Sequence, residues 1–193
     1  MFILTDISTR ERIVATADDL FYQKGYEQTS FADIAQAVKI SRGNFYHHFK
    51  TKDKILDAVI ARRLTKTKNM LAAWESEGER PADRILSFIN ILTMNQAKIV
   101  LYGCPVGTLS AELAKLDHIA RDQANEIFAL FRDWLVRQFR LMGITESADT
   151  FAMQLLSRSQ GAAVMASAFQ DASFLRQEVT QMSEWLDRCH ETP

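Results

Sequence analysis

Apolar residues recur along this chain at the spacing of helix faces. From Thr9 to about Lys24, residues Ile13, Val14, Ala17, Leu20 and Phe21 fall on one stripe, and Gly25 stands where a C-terminal cap belongs. Tyr26 is expected to fold back onto that stripe. Two very short apolar groupings follow, Ile34, Ala35 and Val38, then Phe45 and Phe49. A much longer helix is predicted from Thr51 to about Ser76, carrying Ile55, Leu56, Val59, Ile60 and Leu64 and continuing through Met70, Leu71 and Trp74 until Glu77-Gly78-Glu79. Pro81 starts the next, with Ile85, Leu86, Phe88, Ile89 and Leu92 inside. The run Tyr102-Gly103-Cys104-Pro105 interrupts the pattern, and a short helix is expected through Leu109, Leu113 and Leu116. Asp117 then begins a long helix with Ile127, Phe128, Leu130, Phe131, Trp134, Leu135 and Phe139, ended by Gly143. Two last helices run from about Ser147 to Phe169 and from Ser173 to Cys189. The predicted fold class is all-α, with about nine helices.

The two short helices carry their own start signals. Ser30 can cap the first, with Asp33 three residues on nearly completing a capping box, and Ser41 can cap the second. If Phe45 and Phe49 face inward, the second helix turns Arg42, Gly43, Asn44, Tyr46 and His47 outward. A short helix pointing donors and a small residue away from its core is what a major groove requires. This is a helix-turn-helix. The expected organisation is a three-helix DNA-binding domain over residues 1–52 and a larger helical domain over 53–193 for effector binding and dimerisation, linked by the helix at 51–76.

Composition adds limits. The chain has 193 residues, 47% of them hydrophobic, with only 7 Gly and 3 Pro, so long helices are expected rather than a many-stranded sheet. No apolar run approaches membrane-spanning length, and Met1-Phe2-Ile3-Leu4 is too short for a signal peptide, so no membrane partner is expected. Two cysteines are too few for a disulfide framework and favour a cytoplasmic location. Net charge is −1, yet residues 1–70 carry 12 Lys and Arg against 8 Asp and Glu, a net +4, whereas the remainder carries 11 against 16, a net −5. A basic front end on an acidic body fits a phosphate-facing surface, although a solvated helix face explains the lysines equally well. A phosphate loop, a nucleophile elbow and a zinc-binding helix are all missing from the sequence, so an enzyme is not expected. His47 and His48 point about 100° apart on a helix and have no third ligand nearby, so neither a metal nor any other cofactor is expected.

The residues Gly25-Tyr26, Thr29-Ser30, Ile34-Ala35, Val38, Ser41 to Phe49 and Lys52-Asp53 together resemble the tetracycline-repressor (TetR) family of transcriptional regulators. The first 70 or so residues carry that resemblance; the body is similar only in helix number and length. Lys39 departs from it, since the family often has glycine in the turn. The resemblance places Thr29, Tyr46, His47 and Lys52 on phosphates, with Ser30 and Ser41 at the two helix starts, which agrees with their donor chemistry. Arg42 and Asn44 are the expected base readers, because Arg can fork to guanine and Asn to adenine, while Gly43 permits close approach to the groove floor. For Tyr46 the competing role is a ring partly buried against the first helix.

In the body, Phe88, Tyr102, Cys104, Phe128, Phe131, Trp134 and Met165 are the expected lining of an effector pocket, with Gln154, Ser157 and Ser159 as polar fixtures; core packing is the competing role for the aromatics. The segment Gly103 to Leu113 resembles a subgroup of the family with Gly-Cys at the start of the sixth helix, some members of which sense electrophiles through that cysteine. Cys104 at a helix cap would be a reactive thiol; a small buried hydrophobe is the commoner role. The small residues from Gly161 to Ala168 let two helices approach closely, either within one subunit or at the dimer interface that the family forms with its last two helices. The expected function is a DNA-binding regulator, a repressor released from a palindromic operator by a small-molecule effector and working as a homodimer. The alternatives are a thiol-based electrophile sensor acting through Cys104 and a helical interaction protein that binds no DNA.

Overall fold

The computed structural model describes residues 8–189, which places the Met1-Phe2-Ile3-Leu4 reading outside the described residues. These residues form ten helices: α1 (Thr9–Lys24), α2 (Phe31–Val38), α3 (Arg42–His48), α4 (Lys52–Glu77), α5 (Pro81–Met94), α6 (Gln96–Tyr102), α7 (Pro105–Lys115), α8 (Arg121–Leu141), α9 (Ala148–Phe169) and α10 (Ala172–Arg188). The tenth comes from a break at Asn95 inside what the apolar spacing predicts as one helix. Asn95 both ends α5, its N–H donating to the Ile91 carbonyl, and precedes α6, with no Gly or Pro to announce it.

The chain divides into two compact units, and the division does not fall at residue 52. The first unit takes the described residues up to Leu64 together with Thr108–Ala124. Its core explains why: Ile55, Leu56, Val59 and Ile60 of α4, and Leu109, Leu113, Ala120 and Ala124 from the distant segment, are buried with Ile13, Ala17, Phe21, Ile34, Val38, Phe45 and Phe49. Removing this apolar surface from water is the main stabilising term, at about 25 cal/mol per Å². Polar ties then fix how α1 lies. Arg63, 8% exposed, donates through Nε to Asp18 at 2.7 Å, and Arg12 donates to the Val38 carbonyl at 3.1 Å.

The second unit comprises Thr65–Gly107 and the residues from Asn125 onward. Its centre is aromatic and aliphatic. Phe88 meets Phe131 edge-on at 5.5 Å, Trp74 lies 5.6 Å from Trp134, and Phe139, Phe151 and Trp185 form a three-way edge cluster. Ala162, Ala163 and Ala166 of α9 are buried, so that side of the small-residue segment packs within the subunit. Gly107 permits similar closeness in α7, because a Cβ there would lie 2.5 Å from Gln160 Oε1.

Asp117 does not begin a helix. It closes α7 instead, with φ +46°, while the His118 N–H returns to the Leu113 carbonyl at 3.0 Å, and α8 starts only at Arg121. Leu116, expected inside the short helix, lies past its end and is exposed. Ser147 precedes α9 as expected, and α10 starts at Ala172, one residue before Ser173, capped by the Asp171 carboxylate.

Candidate nucleic-acid interface

The α2–turn–α3 unit is organised by local chemistry. Ser30 and Asp33 complete a reciprocal box: Asp33 N–H donates to Ser30 Oγ at 3.1 Å, and Ser30 N–H and Oγ–H donate to the Asp33 carboxylate at 2.8 and 2.7 Å. These bonds hold the Asp33 carboxyl below its ordinary pKa. α2 ends in a left-handed residue, Lys39 at φ +59°, the position where glycine is commonest, and a lysine there costs about 1–2 kcal/mol. Ser41 Oγ accepts the Asn44 N–H at 3.3 Å and starts α3.

α3 is held by two residues. Phe45 is fully buried, edge-on to Phe31 at 4.6 Å, and Phe49 directly after the helix is 3% exposed. With those two inward, Arg42, Gly43, Asn44, Tyr46 and His47 are all exposed. A Cβ built on Gly43 meets nothing within 4 Å. Tyr46 stays 49% exposed and rests one face on Phe31 of α2, 5.2 Å away, so it packs on α2 rather than on α1. The exposed row is small at its centre and rich in donors at its flanks.

Two residues expected on phosphate are engaged elsewhere. Thr29 is fully buried, and its hydroxyl donates to the Gly25 carbonyl at 2.6 Å. A buried hydroxyl must find an acceptor, and the end of α1 supplies one. Lys52 lies 4.2 Å from the centre of the Tyr26 ring and donates through Nζ to the carbonyls of Tyr26 and Glu27 at 3.0 and 3.3 Å. Its ammonium holds the α1–α2 turn to the start of α4. The same turn receives the Asp53 carboxylate, which accepts the Tyr26 hydroxyl at 2.5 Å, so that burial and this partner push the phenol well above its ordinary pKa.

Other basic side chains lie near α3 that the motif did not assign. Arg10, His48, Lys50 and Lys54 line an open cleft of about 500 Å³ together with Phe49 and Asp57. Arg10 lies over the Phe49 ring at 5.0 Å, and Lys54 pairs with Asp57 at 3.0 Å. The basic excess over residues 1–70 includes Arg10, Lys50 and Lys54, but the motif singles out none of them.

Among the expected effector-pocket residues, Phe88, Phe131 and Trp134 are buried, Tyr102, Cys104 and Phe128 half-buried, and Met165 is 42% exposed. Met165 is thus the most exposed of the seven. It shares an outward stretch of α9 with Val164 and Phe169, 56% and 77% exposed, and with the exposed Gln154, Ser157 and Gly161. Ser159 is buried and donates to the Leu156 carbonyl at 2.7 Å. The Trp134 indole N–H is buried and has no acceptor. Cys189 is buried, which raises its thiol pKa. No single helix among the described residues is long and apolar enough to cross a membrane.

Comparison with known proteins gives this geometry a context. Residues 13–59 match the model for bacterial regulatory proteins of the tetR family, and residues 81–181 match the C-terminal domain of LmrA/YxaF-like transcriptional regulators. An uncharacterised helix-turn-helix-type transcriptional regulator from the lacX 3′ region of Lactococcus lactis subsp. lactis is 28% identical over 87% of this chain and 88% of its own length. The transcriptional repressor NemR of Escherichia coli K12 is 29% identical over 61% of this chain and 60% of its own. A crystal structure of a TetR transcriptional regulator from Legionella pneumophila superposes with a TM-score of 0.83 at 26% identity, covering 96% of this chain and 98% of that one.

Proposed function

The chain belongs to the tetR family of DNA-binding transcriptional regulators, and from that premise we propose that it is a cytoplasmic repressor, two copies of which bind a palindromic operator until a small-molecule effector releases them. The observation that carries this reading is α3. Its inward side is anchored by Phe45 and Phe49, and its outward side offers Arg42, Gly43 and Asn44 with no side chain of the protein against Gly43. Arg42 and Asn44 read base edges, while Tyr46, His47, Lys50 and the cations of the adjoining cleft meet phosphate.

One α3 covers too little surface for high affinity, and two-fold pairing on half-sites about one helical turn apart supplies the rest. The outward stretch of α9 supports pairing, because Val164, Met165 and Phe169 leave an apolar surface in water. The aromatic group in the second unit supports an effector. Trp134 offers a buried N–H with no acceptor, a group that costs free energy until something accepts from it, and the Trp74 ring beside it adds apolar surface. A small, largely apolar molecule with one acceptor fits that chemistry. It releases DNA only if it prefers the released conformation, with a coupling of about 1–3 kcal/mol.

Selection of bound duplexes from a random pool tests the reading: an enriched palindrome supports it, and an enriched site without dyad symmetry overturns the paired mode. A second reading draws on Cys104, which is half-buried directly before Pro105, the first residue of α7. Operator affinity unchanged after complete labelling of Cys104 by an electrophile would eliminate it.

A further inference from the structure

The turn between α1 and α2 must satisfy its backbone polar groups, and three of its N–H groups do so locally. The Gly25 N–H reaches the Phe21 carbonyl at 3.0 Å, the Thr29 N–H reaches the Tyr26 carbonyl at 3.3 Å, and the Ser30 N–H reaches Asp33 at 2.8 Å. The N–H groups of Tyr26 and Glu27 do not find local partners. They donate to the two carboxylate oxygens of Glu112 on α7, at 2.8 and 2.9 Å, from 86 and 85 residues away in sequence. The carboxylate lies close over Gly25, where a Cβ would come within 3.0 Å of Glu112 Oε1. Six residues further on, the His118 ring stands edge-on to the Tyr26 ring at 5.2 Å. Segment 112–118 thus grips the same two residues whose carbonyls Lys52 holds from α4.

We propose that Glu112 is a positioning residue for DNA reading: by accepting the N–H groups of Tyr26 and Glu27 it sets the turn from which α2 and α3 are presented, so operator affinity depends on the placement of α7. The inference rests on the DNA-binding reading of α3. A carboxylate with two charge-assisted bonds to one turn constrains both the position and the tilt of the chain that follows, because each bond is directional. Glu112 is not among the residues assigned above to base edges or phosphate. Its negative charge, taken alone, would weaken attraction to phosphate, and removing it should strengthen binding if charge were all that mattered. The positioning role predicts the opposite sign.

The test is Glu112→Gln, which keeps the side-chain volume and one acceptor but turns an –NH2 toward a backbone N–H. The expected result is a loss of operator affinity on the order of tenfold, with the slope of affinity against salt unchanged because no phosphate contact is removed. Amide exchange at Tyr26 and Glu27 should accelerate in the same variant. Glu112→Asp, which retains both oxygens, should recover most of the affinity, and Ile60→Val, a mild core change in the same unit, should leave affinity intact. Wild-type affinity in Glu112→Gln, or an equal loss in Ile60→Val, overturns the proposal. A wild-type protein without preference for any duplex would defeat the DNA reading instead. Unchanged exchange at the two amides would still overturn the role of Glu112 by itself.

Discussion

The short α2–α3 pair and the long helices α8 to α10 are held by different means. α2 and α3 have 8 and 7 residues, whereas α8, α9 and α10 have 21, 22 and 17. An isolated helix below about 12–15 residues is marginal in water. The short pair therefore depends on side-chain caps at Ser30 and Ser41 and on single anchors such as Phe45. α9 instead begins at Ser147 with no side-chain cap bond and relies on a buried row from Ala148 to Ala166. The outward faces differ in the same sense. On α3 that face is polar around a glycine, suited to base edges; on α9 it carries Val164, Met165 and Phe169, suited to another protein surface. Side-chain caps carry most weight where a helix is short, whereas among the long helices α10 is capped by Asp171 and α9 does without a side-chain cap.

The largest expected effect separates the two regions by their anchors. Phe45→Ala should cost about 3–5 kcal/mol of stability and abolish operator binding, since α3 has few other means of attachment. Phe139→Ala, equally buried in the second unit, should cost a similar amount yet leave the base preference of the remaining folded protein unchanged. Denaturant titration paired with binding to a matched set of operator variants checks both, and an equal change in base preference would break the comparison. Next in size, Arg42→Ala should lose about 1–3 kcal/mol of binding at one base pair while leaving the denaturation midpoint in place, because Arg42 is exposed. A uniform loss over all sequences would instead make Arg42 a phosphate contact.

The smallest effects sharpen the contrast between capped and uncapped helices. Ser30→Ala and Ser41→Ala should each cost about 1 kcal/mol, whereas Ser147→Ala should stay within about 0.5 kcal/mol. Ser30 also predicts a pH dependence. Asp33 has a lowered folded-state pKa, caused first by the Ser30 hydroxyl, so its contribution is present above the ordinary carboxylate range and lost as pH falls through the folded value. In an acid titration of stability, Ser30→Ala should flatten that loss. An unchanged acid limb would show that the box contributes nothing measurable.

Particular residues show why some elements were legible and others were not. Gly25, Ser30, Ser41 and Thr51 mark helix ends by chemistry confined to three or four residues, and the helices begin or end beside them. Asp117 misled for the same reason. An aspartate before an apolar row looks like the start of a helix, but here the carbonyls ending α7 draw the chain into a left-handed turn that aspartate tolerates. The break at Asn95 left no trace because apolar spacing continues across it. The outward exposure of Arg42, Gly43 and Asn44 was readable because two buried phenylalanines fix which way a seven-residue helix faces. Thr29 and Lys52 were not, because a hydroxyl or an ammonium at the surface of a motif can donate to phosphate or to its own backbone with equal chemistry.

An all-helical chain, the caps of its short helices, the outward row on α3 and the bias of positive charge toward the first 70 residues are all written in the order of the residues. These follow from periodicity, from capping over one turn and from composition, all of which are local or additive. Packing in three dimensions alone brings Thr108–Ala124 into the first core, sets Thr29 and Lys52 to hold the α1–α2 turn, and lets Glu112 supply the two acceptors this turn lacks. Those bonds and contacts depend on where backbone groups are left unpaired after folding. A glutamate 86 residues from its partner is indistinguishable, in sequence, from one that faces only water.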